Sequence, residues 1–171
     1  MARQCENRLM DSEASALVEC LDDQRQHVIG ILEGLTDEAL HQPVLPSGWS
    51  CLGLVNHLAL DVERFWFHQV VAGEGPGFGD GGDSSAWEVP TDVEAEQIFE
   101  SYRREISRAD EVIAATPLDA APAAWPPFFG DWRLPDLRAV LLHVIAETAC
   151  HAGHLDAARE LIDGRTWLTL T

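Results

Sequence analysis

The sequence predicts an all-α four-helix bundle with long second and third connections. Apolar residues recur at helical spacing in four separate stretches. Prolines and glycines cluster between those stretches and break the chain there. A chain of 171 residues with 46% hydrophobic content can bury one sizeable core as a single domain, 1–171.

The first helix is predicted over residues 12–35, where Leu17, Leu21, Val28, Leu32 and Leu35 share a face and Ser12 is a candidate N-cap. Thr36-Asp37-Glu38-Ala39-Leu40 reads as a short capped turn, and Pro43 and Pro46 then interrupt the chain. The second helix starts near Ser47 or Ser50 and runs to about Val71. Its expected core stripe is Val55, Leu58, Val62, Phe65, Trp66 and Gln69. A polar line of His57, Asp61, Arg64 and His68 runs beside it and reads as a solvated face with an Asp61–Arg64 pair. Residues 73–86 contain six glycines and form a loop.

Pro90 followed by Thr91-Asp92-Val93-Glu94 fits a capping box at the start of the third helix. Ile98, Tyr102, Ile106, Ala109 and Ile113 continue that helix and Pro117 ends it. Residues 117–134 are rich in Pro, Ala and aromatics (Trp125, Phe128, Phe129, Trp132), and are expected to pack over the bundle or its mouth. The fourth helix opens with Pro135 in its first turn and closes before Gly164. Leu137, Leu141, Val144, Thr148, His151, Leu155, Ala158 and Ile162 make its stripe, with Glu147 and His154 at the edge and His143 further out.

The 11 basic residues, all arginine, stand against 29 acidic ones, for a net charge of −18. That balance argues against nucleic-acid partners and anionic membrane surfaces, whose affinity for proteins rests on basic side chains. Its simplest role is solubility. With no lysine in the chain, no Schiff-base lysine is available. The Ala-, Gly-, Arg- and Asp-rich usage resembles that of a GC-rich bacterium. Cys5, Cys20, Cys51 and Cys150 form no close pair and read as buried small hydrophobes, and the six tryptophans are expected to be mostly core. No signal peptide or membrane-spanning run is evident, so a reducing cytoplasm is expected.

The chemistry is concentrated in His143-Val-Ile-Ala-Glu147-Thr-Ala-Cys-His151-Ala-Gly-His154, where four potential ligands recur at intervals of four, four and three residues. On an α-helix all four fall within an arc of about 80°. Unpartnered, buried His and Glu cost several kcal/mol or lose their charge, and a divalent metal removes that cost. Glu147 and His151 can reach one ion from one helix, and His57 is the natural candidate for a ligand from a second element. Three protein ligands leave positions open for water or substrate, and nitrogen and carboxylate donors suit Zn, Ni, Fe or Mn. The plainer alternatives are a hydrogen-bonded Glu147–His151 pair and a structural His57.

Ser47-Gly48-Trp49-Ser50, then Asn56-His57-Leu58-Ala59, then His143-x3-Glu147-x3-His151-Ala-Gly-His154 resembles the DinB-like superfamily of metal-binding four-helix bundles. The resemblance runs over nearly the whole chain. Members typically use one histidine on the second helix and an i, i+4 pair on the last, most often His and His. Glu147 in the first of those places resembles the mycothiol-dependent maleylpyruvate isomerase branch, which uses His, Glu and His. The resemblance therefore implies His57, Glu147 and His151 as metal ligands. His154 falls where many relatives have Gln and is either a fourth ligand or a group supporting the ligands; His143 matches a histidine one turn earlier in relatives.

The activity implied by the resemblance is transfer or isomerisation with a low-molecular-weight thiol such as mycothiol or bacillithiol, acting on an electrophilic substrate. The GC-rich composition favours mycothiol. Two other readings compete: a non-catalytic bundle holding a metal or small ligand, alone or as a homodimer, and a metal hydrolase with bound water as nucleophile. A site plugged by His154 would be structural, and an open one catalytic.

Overall fold

The computed structural model describes residues 2–75 and 84–167, with side chains from Ser12 onward except those of residues 84 and 85. The centre of the expected 73–86 loop and the side chain of Cys5 lie outside the described residues. The described residues are helical, with no strand among them. The elements are α1 (Ala2–Leu32), α2 (Asp37–His41), α3 (Cys51–His57), a π-helical segment (Leu58–Val71), α4 (Ala95–Ala115) and α5 (Leu137–Asp163), with 3-10 turns at Ser84–Trp87 and Pro127–Phe129. α3 and the π segment form one rod, so four rods make the bundle. α1 packs on α5, the π segment packs on α4, and α5 closes the ring against the π segment.

The expected four helices are present, with four local corrections. α1 begins at Ala2, since residues 2–11 hold no glycine or proline to stop it, and Ser12 lies inside the helix rather than at its cap. Its end comes at Leu32, where Gly34 (φ 79°) takes the left-handed conformation. α4 starts at Ala95, because Val93 N–H turns back to the Pro90 carbonyl (3.0 Å). The expected box at Thr91 is replaced by a cap from elsewhere: Ala95 N–H donates to Asp37 of α2 (3.3 Å). At the start of α5 the cap is Asp136, which accepts from Ala139 N–H at 2.9 Å, so Pro135 precedes the helix. Other signals appear as read. Ser50 caps α3 by accepting from Gly53 N–H (3.0 Å), Thr36 caps α2, and Gly164 (φ 80°) closes α5.

The fourth correction is the winding of the second rod. From Leu58 onward its bonds run i→i+5, as in Ala72 N–H to the Phe67 carbonyl (2.9 Å). A π-helix needs about 4.4 residues per turn instead of 3.6, so the inward face moves. Leu58, Val62, Phe67 and Val71 are buried at that longer repeat, whereas Phe65 and Gln69 of the expected stripe are only partly buried. Glu63 and His68 turn inward instead.

Two arginines fasten the rods. Arg25 of α1, 1% exposed, gives a two-pronged bond to Glu63 (2.8 and 2.7 Å) and also reaches Asp22 and Asp110 of α4. Burial alone would lower its pKa, but Glu63 and Asp110 raise it well above the ordinary value. Arg159 of α5 donates to the Ile31 and Glu33 carbonyls at the C-terminal end of α1 (2.6 and 3.0 Å), satisfying acceptors the helix leaves open. The connection after α4 is tied to the π segment by Ala123 and Ala124 N–H groups bonding the Val71 and Val70 carbonyls (both 3.1 Å). It thereby packs its aromatics over the bundle, with Phe128 and Phe129 against Phe65, Trp125 against Trp66, and Trp132 against Trp66 and His143.

Candidate metal centre

His57 is the last residue of α3, and Glu147 and His151 sit one turn apart on α5. Packing of α5 against the second rod brings one donor atom from each within 4.8 Å of the others. His57 Nε2 lies 3.8 Å from Glu147 Oε1. Behind it, His57 Nδ1 meets Asp61 Oδ2 at 2.9 Å. Asp61 is thus paired with His57 and not with Arg64, as the sequence suggested. The carboxylate keeps the Nδ1 proton in place, so Nε2 presents its lone pair to the cluster.

Electrostatics favour the forms a cation accepts. Burial pushes the His151 imidazole down to about 4, with His57 adding to the effect and Glu147 opposing it. His151 is therefore neutral near pH 7, and its Nδ1 is buried with no hydrogen-bond partner among the described residues. Burial would raise the Glu147 carboxyl, but the His143 bond and the nearby charge of His143, His57 and His151 outweigh it and hold it below the ordinary value. His143 Nε2 is 3.3 Å from Glu147 Oε2, leaving Oε1 to face His57.

His154 stands outside the three-residue cluster. It is exposed, its ring is 5.6 Å from that of His151, and Trp49 lies 6.2 Å from it. Several tryptophans have roles the sequence did not disclose. Only Trp66 is fully buried; Trp132 and Trp167 are exposed, and the others lie between. Trp87 stacks on His57 (4.1 Å, 20°) and approaches His151 at 5.7 Å. Trp66 sets its ring against His143 at 4.6 Å. The seat of Trp87 depends on Gly53, since any Cβ there would overlap the Trp87 carbonyl oxygen. Nothing in the sequence ties Trp87 to His57, because a glycine-rich stretch separates them.

Of the cysteines, Cys51 is buried and burial pushes its thiol up to about 11, whereas Cys20 and Cys150 are exposed, contrary to expectation. Cys150 follows Cα geometry on α5: it is next to His151 in sequence but about 100° away around the helix.

Residues 16–164 match the model of the family described as Mycothiol-S-transferase. No curated protein and no solved structure gives a match. With most of its length covered, the chain belongs to the mycothiol S-transferase family, a DinB-like family, in line with the resemblance seen in its motifs.

Proposed function

We propose that the protein is a metal-dependent S-transferase that joins mycothiol to an electrophile, with His57, Glu147 and His151 holding the ion. The observation that carries this is the meeting of three donors within 4.8 Å in a chain of that family. The donor set suits the ion: two imidazoles, one held by a carboxylate from behind, one neutral with an unpartnered nitrogen, and an ionised carboxylate. A bound Zn, Ni, Fe or Mn ion would supply a Lewis acid that keeps the thiol sulfur ionised at neutral pH.

The chain's own groups do the rest. Asp61 fixes the tautomer and direction of His57. His143 anchors one oxygen of Glu147 and turns the other to the cluster. Trp87 covers His57 and limits water on that side. We read His154, exposed and beside Trp49, as a group that hydrogen-bonds an arriving thiol and not as a fourth ligand, a reading its exposure supports. An open site favours catalysis over a structural metal.

The test joins metal analysis of the purified protein to a thermal-shift screen of mycothiol, bacillithiol and glutathione. The expected result is one divalent ion per chain and a larger rise in melting temperature with mycothiol than with glutathione. His151→Ala should lose both effects. Metal far below one equivalent after loading, or no response to any thiol, would overturn the proposal. In cobalt-loaded protein, a thiol that reaches the site should add sulfur charge-transfer bands, and these should persist in His154→Gln.

A further inference from the structure

A cleft of about 500 Å³ opens directly beside the cluster; Asp61, His143 and Glu147 form part of its lining, and the rest is apolar, a part that the ligand set and its supporting residues do not explain. Phe65, Trp66, Phe129 and Trp132 line it. Trp66 and Phe129 lie parallel (7°) at 5.8 Å, and Trp132 stands edge-on to both, at 6.1 and 5.0 Å. Two of these rings come from the π segment and two from the connection before α5, so the fold assembles the box from distant segments. Asp61, His143 and Glu147 supply its polar lining and join it to the cluster, and His143 also sits against Trp66 and Trp132 at 4.6 and 5.7 Å. Two carboxylates stand in this lining, and no arginine does among the described residues.

We infer that this cleft is the acceptor site: it takes an uncharged, planar aromatic electrophile and holds its reacting carbon next to the thiol. The inference rests on the transferase reading and names the second substrate's class. Flat π-faces with parallel and edge-on partners select aromatic ligands, and each well-placed ring contact adds a modest gain beyond area burial. The volume falls within the usual range for small-molecule sites. Carboxylates at the mouth and a net charge of −18 disfavour anions. A polyhydroxylated thiol would need donors and acceptors along its length, and apart from Asp61, His143 and Glu147 the lining side chains offer only the indole N–H groups of Trp66 and Trp132, with no acceptor. In the reaction the thiolate sulfur forms a bond to the carbon carrying the leaving group. The bond from that carbon to, for example, chloride breaks; chloride departs with the electron pair, and the thiol proton passes to solvent.

The purified protein is dialysed to equilibrium against 2,4-dinitrotoluene, which cannot react, and against 2,4-dinitrobenzoate, its anionic counterpart. Dinitrotoluene should bind saturably and at least tenfold more tightly than the benzoate, and saturating mycothiol should not displace it. Trp132→Ala, at a position already 44% exposed, should fold and bind dinitrotoluene about 3–10-fold more weakly. Trp167→Leu, beside His27 on the α1 side, should change nothing. Equal binding of the two ligands, displacement by mycothiol, or an unaffected Trp132→Ala overturns the acceptor cleft and leaves the transferase reading standing. Mycothiol and 1-chloro-2,4-dinitrobenzene should then give a conjugate with release of chloride. Intact dinitrotoluene binding without any conjugate overturns the transferase reading and the acceptor role with it.

Discussion

Replacing Asp61 by Asn removes a charge from behind His57 while keeping the shape of the side chain and an oxygen that can still accept from His57 Nδ1. Among the described residues the 2.9 Å contact is that ring nitrogen's one hydrogen bond, so its effect should pass to the metal through the imidazole. Carboxylates in this role are worth roughly 10–100-fold in metal affinity, which corresponds to about 1.4–2.7 kcal/mol. The Asp61 side chain is 43% exposed, so water already screens it and the lower end applies. We expect a loss of about tenfold, measured by competition for Zn²⁺ against a chromogenic chelator. Thermal melts of the metal-free proteins should agree, showing that the fold is intact. His57→Ala, which removes the donor itself, should lose far more. An affinity within twofold of wild type would refute the reasoning, as would a loss as complete as that of His57→Ala.

Three further outcomes are expected. The folded-state pKa of His151, about 4, lies below its ordinary 6.5, so the unfolded chain takes up the proton first as pH falls. In metal-free protein the contribution of His151 should then be lost between pH 6.5 and about 4; urea unfolding across that range should show this slope reduced in His151→Gln. Arg25→Met strands Glu63, 1% exposed, and should cost about 3–5 kcal/mol in urea unfolding, with much of the loss recovered in the double variant Arg25→Met, Glu63→Leu. Gly53→Ala should cost about 1–3 kcal/mol and weaken metal binding by displacing Trp87 from His57, whereas Gly153→Ala, whose added Cβ meets nothing within 4 Å, should raise stability by about 0.5–1 kcal/mol.

The contrast between those two glycines shows what sequence patterns carry. Gly153 sits in an α-helix of ordinary winding, where the spacing of His143, Glu147 and His151 translates directly into direction. The α5 part of the cluster was therefore legible, as were the caps at Ser50 and Thr36 and the stop at Gly164. Gly53 matters through a carbonyl at Trp87, and such a contact across a long loop has no local signature. The same holds for Asp37, which caps α4 from another helix. Long-range polar contacts depend on where the rods come to rest, and residue spacing within one rod does not encode that.

The second rod shows how one assumption about winding reassigns a whole face. With 3.6 residues per turn, Phe65 and Gln69 belong to the core and His57, Asp61, Arg64 and His68 form an outer line. At about 4.4 residues per turn the core passes to Leu58, Val62, Phe67 and Val71, and the other side chains are dealt out anew. Glu63 turns in to meet Arg25, Asp61 stays at the rim to bond His57, and Phe65 and Trp66 face the connection from 117 to 134. The change of winding begins at Leu58, immediately after His57. The ligand is thus set by an α-helical turn capped at Ser50, while its supporting carboxylate and the aromatic walls are set by the wider π turn that follows. Returning the segment to α-helical winding would rotate Trp66 and Asp61 relative to His57, so the cleft and the cluster stand or fall together with that winding.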